Sequence, residues 1–186
     1  MMEEHVHCRK AVPGDEHAVS ALAKRLEIHE GDDPSLAMHR GFLFYAKPEE
    51  VYRQRFSISQ YCFIAEQEGE IVGALVAHDR GELEELGASL KYPRALVEYL
   101  FSLQYPHWIY IDELAVHPGH QHHGIGQHLY DFAFGNVPGS VLLAGISHDP
   151  IPNEASLHFF TKNGHTLLTE LQEGEWLCGI YGRTIT

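Results

Sequence analysis

The segment from Glu113 to Tyr130, ELAVHPGHQHHGIGQHLY, limits the fold more than any other stretch of the chain. Ile109 to Val116 reads as a strand, and His117-Pro118-Gly119 stops it. From Gly124 to Phe134, the residues Ile125, Leu129, Phe132 and Ala133 recur at helical spacing, which predicts an amphipathic helix buried along that face. Gly124 and Gly126 stand where the helix begins. Free backbone N–H groups at such a start can point at an anion, and the helix dipole adds to the attraction. The same two glycines would equally serve a tight turn that holds nothing. This is not a Walker loop, because no Gly-Lys-Ser/Thr follows. Nor is it the Gly-x-Gly-x-x-Gly dinucleotide pattern, because Gln127, His128 and Leu129 follow Gly126.

Other elements can be placed around this one. His5 to Arg9 suits an edge or first strand, and residues 15 to 27 form a helix burying Val19, Leu22, Ala23 and Leu26. Glu30 to Pro34 is loop, and Leu36 to Tyr45 has no clean period. Pro48 to Glu50 open a short helix ending near Phe56. Tyr61 to Glu66 and Ile71 to Ala77 form an antiparallel hairpin about Glu68-Gly69. The acidic run Glu82 to Glu85 is expected to be a solvated face. Pro93 starts a helix with Leu96, Val97, Leu100 and Phe101 on one side, and Pro106 ends that region. Val141 to Ile146 is an apolar strand, Asn153 caps a helix that stops at Asn163-Gly164, and Thr166 to Thr169 and Trp176 to Tyr181 are strands about Gly174. Helices interleaved with strands predict an α/β (α+β) domain: a mixed, mostly antiparallel sheet flanked by helices. With 186 residues and no linker, the expectation is a single domain over 1–186.

Two matched blocks carry a resemblance. Gln121 to Gly126 fits the Gln/Arg-x-x-Gly-x-Gly/Ala motif of the GNAT superfamily of acyl-CoA-dependent N-acyltransferases, and Leu114 to Pro118 is similar to the strand that leads into it. Downstream, Asn153 to Ser156 followed by Phe159 to His165 resembles the family's second block. Arg9 to Ala11 with Asp15 resembles its opening, and the resemblance spans about residues 5–181. It implies that backbone amides of Gln121, His122, His123, Gly124, Ile125 and Gly126 hold the pyrophosphate of acetyl-CoA. It implies that Leu114, Ala115 and Val116 lie along the pantetheine arm, as a ligand mimic of strand addition. Asn153, Ser156 and Phe160 would line its other side.

The implied reaction is acetyl transfer from acetyl-CoA to a primary amine by direct attack, with no metal. The amine must shed a proton, and the oxyanion and leaving thiolate need stabilising. Glu113 is the first candidate base and Asp112 the second. Strict alternation groups Ile111, Glu113 and Ala115 on one face and Tyr110, Asp112 and Leu114 on the other, so at most one carboxylate should reach the substrate. The family often has Tyr where this chain has Phe160, which offers no proton; either Tyr130, Tyr181 or a water replaces it, or the thiolate departs unassisted. By resemblance, residues Leu36 to Phe56, with Tyr45 and Tyr52, would wall the acceptor; Trp176 and Tyr181 would either line it too or serve core or dimer packing. The rival readings are a CoA-binding sensor without turnover and a metal-dependent hydrolase built on the histidines.

Composition narrows the partners. Acidic residues number 26 against 13 Lys plus Arg, a formal net charge of -13, which disfavours nucleic acid and anionic membranes and favours a small cationic amine or a protein amine. Cys8, Cys62 and Cys178 form neither a disulfide framework nor a thiolate zinc site. No secretory leader or apolar span is read, so a cytoplasmic enzyme is expected. A homodimer with Trp176 to Tyr181 near its contact is also expected. Of the 15 histidines, His117, His120, His122 and His123 fall in the loop and His128 just beyond it. Their backbone amides would matter more than their rings.

Overall fold

The computed structural model describes residues 6–135, 137 and 140–185. Seven strands form one sheet: β1 (His7–Lys10), β2 (Cys62–Gln67), β3 (Glu70–Asp79), β4 (Trp108–Val116), β5 (Val141–Asp149), β6 (Thr166–Glu173) and β7 (Trp176–Thr184). Their order is β1-β2-β3-β4-β5-β7-β6. Every adjacent pair is antiparallel except β4 and β5. The helices are α1 (Glu16–Lys24), α2 (Pro34–Arg40), α3 (Glu49–Ile58), α4 (Arg80–Leu86), α5 (Arg94–Ser102), α6 (Ile125–Phe134) and α7 (Glu154–Lys162). The mixed, mostly antiparallel sheet expected from the sequence is therefore present. The first strand begins at His7; His5 lies outside the described residues.

Both faces of the sheet are covered. On one, Ile125, Leu129, Tyr130, Ala133 and Phe134 of α6 and Phe160 of α7 bury Leu75, Ala77, Ile109, Ile111, Leu142 and Ala144. On the other, α1 and α3 close over Ile64, Ala74, Val76 and Ala115, while α4 and α5 close over Trp108, Tyr110 and Leu143. Phe132 departs from its expected place: it is 48% exposed, at the rim of the buried stripe and edge-on to Phe63. Tyr130 and Phe134 occupy the core instead.

Two local expectations are corrected. Glu82 to Glu85 lies within α4, and Glu82 is buried. Its carboxylate accepts from Asp79 N, Gln60 N and Ser59 Oγ, while Asp79 accepts from Glu82 N, so the acid is a structural clamp joining β3 to the start of β2. The stretch without a period contains α2, which Asp33 caps through Ser35 N and Pro34 opens. The α2 helix lies against α7, where His39 Nδ1 is 3.0 Å from Glu154 Oε2.

A larger correction concerns β4. Val76 of β3 opposes Glu113, but the next residue, Ala77, opposes Ile111; Asp112 is an extra residue, a β-bulge. Alternation slips there. Ile109, Ile111, Leu114 and Val116 all pack into the α6 side, and Tyr110 and Ala115 pack on the opposite side. Asp112 and Glu113, predicted to face opposite ways, both reach Lys47 Nζ, at 3.4 and 2.9 Å.

Candidate active site

The β4 and β5 strands pair only from Trp108–Ile111 to Val141–Ala144. Beyond that point β4 stays with β3 and β5 stays with β7, so the sheet forks. His117 N donates to Val72 O on the β3 side, whereas Val116 O accepts from Gln121 Nε2. Strand alternation therefore turns the backbone groups of Leu114 and Val116 toward the fork. Ala115 is turned away: its carbonyl points toward Gly73 and its side chain into the α1 layer.

A cleft of about 720 Å³ follows the fork. Leu114 and Val116 form one wall, Asn153, Ser156 and Phe159 another, and the loop before α6 closes one end. The α6 helix starts at Gly124, whose φ of 80° is left-handed and which offers no side-chain cap. The first intrahelical bond at this end is His128 N to Gly124 O, so the N–H groups of the first turn are left to the cleft mouth. His122 also has positive φ, 66°, and His122, Gly124 and Gly126 line the cleft. His123 is exposed, and Ile125 sends its side chain into the core. A Cβ on Gly126 would meet only ordinary contacts, 3.6 Å to Val116 and 3.7 Å to Phe159, so packing alone does not demand glycine there.

A second cavity of about 200 Å³ continues from the inner end and shares Phe42, Leu43, Asp112, Gly145, Asn153 and Ser156 with the first. Phe44, Tyr45, Lys47, Ile146, Ser147 and Trp176 complete it. The segment after α2 thus forms its outer wall. Asn153 anchors that wall: its Nδ2 donates to Phe42 O at 3.2 Å, while its Oδ1 caps α7 through Ser156 N at 3.1 Å.

The acid pair sits at the junction of the two cavities. Glu113 has a fully buried side chain, and its oxygens accept from Lys47 Nζ at 2.9 Å and Tyr52 Oη at 2.9 and 3.0 Å. Burial, with the nearby Glu113 charge, pushes the Tyr52 phenol well up, so it stays a donor. Asp112 Oδ2 is held by Arg55 Nη1 and by Lys47. Two carboxylates are therefore matched by two cations. Lys47 and Arg55 escaped the sequence reading because they lie 66 and 57 residues before their partners.

The proposed replacement acids are elsewhere. Tyr130 Oη pairs with His165 Nε2 at 2.8 Å inside the core, and Tyr181 Oη is 3.1 Å from His148 Nε2; neither lines either of these two cavities. Phe160 is 6% exposed and mostly core, with one edge on the cleft. Burial pushes the thiols of Cys62 and Cys178 up to about 11 and about 12, which makes both unreactive. Among the described residues no three His, Cys, Asp or Glu side chains converge as a metal site would require. Among the described residues no helix is long and apolar enough to cross a membrane.

This fold recurs in solved N-acetyltransferase structures. Solved structures with this fold include Arabidopsis thaliana Naa50 in complex with a bisubstrate analogue, CoA-Ac-MVNAL (13% identity, TM-score 0.63, covering 97% of this chain and 99% of that one). Drosophila melanogaster polyamine N-acetyltransferase is similar at 14% identity, TM-score 0.64, over 97% and 100% of the two chains. The ribosomal-protein-S18-alanine N-acetyltransferase of Escherichia coli is similar at 12% identity, TM-score 0.63, over 98% and 95%. No curated protein matches significantly in sequence. The model of the acetyltransferase (GNAT) family matches residues 35–165, and the chain belongs to that family.

Proposed function

We propose that the chain transfers an acetyl group from acetyl-CoA to a primary amine by direct attack. The observation that carries this reading is the fork, with β4 backbone that has left its strand partner on one side and the bare N-terminus of α6 at its mouth. The first-turn amides of α6 and the loop Gln121 to Gly126 take the pyrophosphate. The outward backbone groups of Leu114 and Val116 take the pantetheine amides, and Asn153, Ser156 and Phe159 flank the arm. The amine enters through the smaller cavity. Its nitrogen forms a bond to the thioester carbonyl carbon, the C–S bond breaks, and the sulfur leaves with the electron pair. The proton shed by nitrogen goes to water or to the departing thiolate. A β4 backbone N–H facing the fork stabilises the oxyanion.

Asp112, on the wall of both cavities, is the carboxylate nearest the incoming amine. Glu113 behind it holds Lys47 and Tyr52 in place. The net charge of -13 favours approach of a cationic amine at long range, so small amines and protein amines both belong to the candidate acceptors. The reading includes a single domain, a cytoplasmic setting, and a homodimer near Trp176 to Tyr181; these residues lie in the inner strand β7, so the contact would run over the adjacent edge strand β6, where Leu167 and Leu168 are exposed. Sedimentation velocity tests the dimer. Calorimetry with acetyl-CoA and a thiol-release screen over varied amines test the activity; absence of acetyl-CoA binding at high protein concentration would refute it. The rival, CoA binding without turnover, draws on Phe160 and predicts binding with no thiol released.

A further inference from the structure

We infer that the acceptor is a weakly basic primary amine carried on an apolar, ring-sized group, and that Lys47 is the residue that turns polyamines away. The inference rests on the acetyltransferase reading and narrows it. Its first support is charge. Among the described residues, Lys47 is the one cation and Asp112 the one carboxylate lining the smaller cavity, and they pair with each other. Glu113 pairs with Lys47 as well, and Arg55 completes the balance with Asp112. Both carboxylates that could receive a second ammonium already have cations. A polyamine would have to bring its further charges up against Lys47, whose Nζ stands at the junction, in a setting where desolvation strengthens repulsion.

Shape is the second support. Phe42, Phe44, Tyr45, Ile146 and Trp176 give the cavity apolar and aromatic walls. Its volume of about 200 Å³ accommodates one ring-sized group, since a cavity of about 150 Å³ accepts benzene. Basicity is the third. Attack needs the neutral amine, and the oxygens of Glu113 together with Oδ2 of Asp112 are engaged. An alkylamine with a pKa of about 10.4 is about 0.1% neutral at about pH 7.5, whereas an α-amine near 7.8 is about one-third neutral. Where the site supplies little proton-accepting capacity, the weaker base gains on the order of a hundredfold in reactive form. The shared chemistry is an α-amino or aryl amine beside an apolar group, free or at a peptide terminus.

The test measures thiol release from acetyl-CoA at fixed pH with phenylalanine amide, a short peptide beginning with Phe, 4-methylaniline and spermidine. The expected result is a kcat/KM at least tenfold higher for one of the first three than for spermidine; which of them leads separates free from peptide-borne sources. Lys47→Met should narrow that ratio at least fivefold by raising the spermidine rate, and Lys47→Arg should keep it. Spermidine as the fastest wild-type acceptor overturns the inference, as does a ratio unmoved by Lys47→Met in folded protein. If that variant does not fold, the wild-type ratio decides alone. No thiol release with any amine, despite bound CoA, refutes the acetyltransferase reading itself, and the inference falls with it.

Discussion

The His165 ring is a stability switch whose size can be worked out. It is 2% exposed, and its Nε2 pairs with Tyr130 Oη at 2.8 Å, between α6 and the start of β6. Burial holds the imidazole down to about 4, against about 6.5 in an unfolded chain. Between those values the unfolded state binds more protons, so stability rises with pH and is lost as pH falls below about 6.5. The loss comes to about 2 kcal/mol between about pH 7 and 5, and about 3 kcal/mol by about pH 4, where it levels off. His165→Gln keeps an acceptor for Tyr130 but cannot titrate. Urea unfolding of both proteins from pH 7.5 to 4.5 should show the wild type losing about 2.5 kcal/mol more than the variant. Comparison at each pH cancels the similar contribution of His78, which burial and the charges of Arg55 and Lys47 hold well down. Equal slopes in the two proteins would refute the reasoning.

Gly124→Ala should cost about 1–2 kcal/mol, because its φ of 80° is strained for any L side chain, while Gly126→Ala should leave stability close to wild type; thermal denaturation distinguishes them. Glu113→Ala removes the partner of a 14%-exposed ammonium and of a buried phenol and should destabilise by about 3 kcal/mol, read from denaturant midpoints. Asn153→Ala should cost about 1–2 kcal/mol as a lost cap and should also loosen the Phe42 wall, seen as faster amide exchange in residues 41–46.

Local signals in the sequence were enough to place most of this architecture. Apolar, aromatic and β-branched runs about the Glu68-Gly69 turn gave β2 and β3, and glycines with helical spacing gave α6. The order of elements and the two motif blocks together pointed to the family. What stayed hidden was set by pairing between distant residues. The bulge at Asp112 is a matter of register with β3, and nothing within residues 109–116 announces it. Lys47, Arg55 and Tyr52 look like ordinary residues of a polar helix and its approach; only the fold brings them to the acid pair. Glu82 lay in an acidic run that reads as surface, yet its position three residues after Asp79 was a capping-box signal. Phe132 has the right helical phase, but the core of α6 is centred a turn's fraction away, on Leu129, Tyr130 and Ala133.

The extra residue in β4 behaves like a dislocation in a crystal row. Upstream and downstream of it the strand keeps perfect order, yet the two halves are out of step by one unit. Ile109 and Ile111 on one side and Leu114 and Val116 on the other can then bury the same face across an interval that strict alternation forbids. The defect confines its consequences to the two residues that touch it, Asp112 and Glu113, and leaves the hydrophobic ledger of the strand untouched. Substitutions of these acids can therefore be explored without re-phasing the strand. Deleting either one, by contrast, would heal the dislocation: Ile109, Ile111, Leu114 and Val116 would then alternate strictly and keep their common face, and a single carboxylate would remain to meet both Lys47 and Arg55.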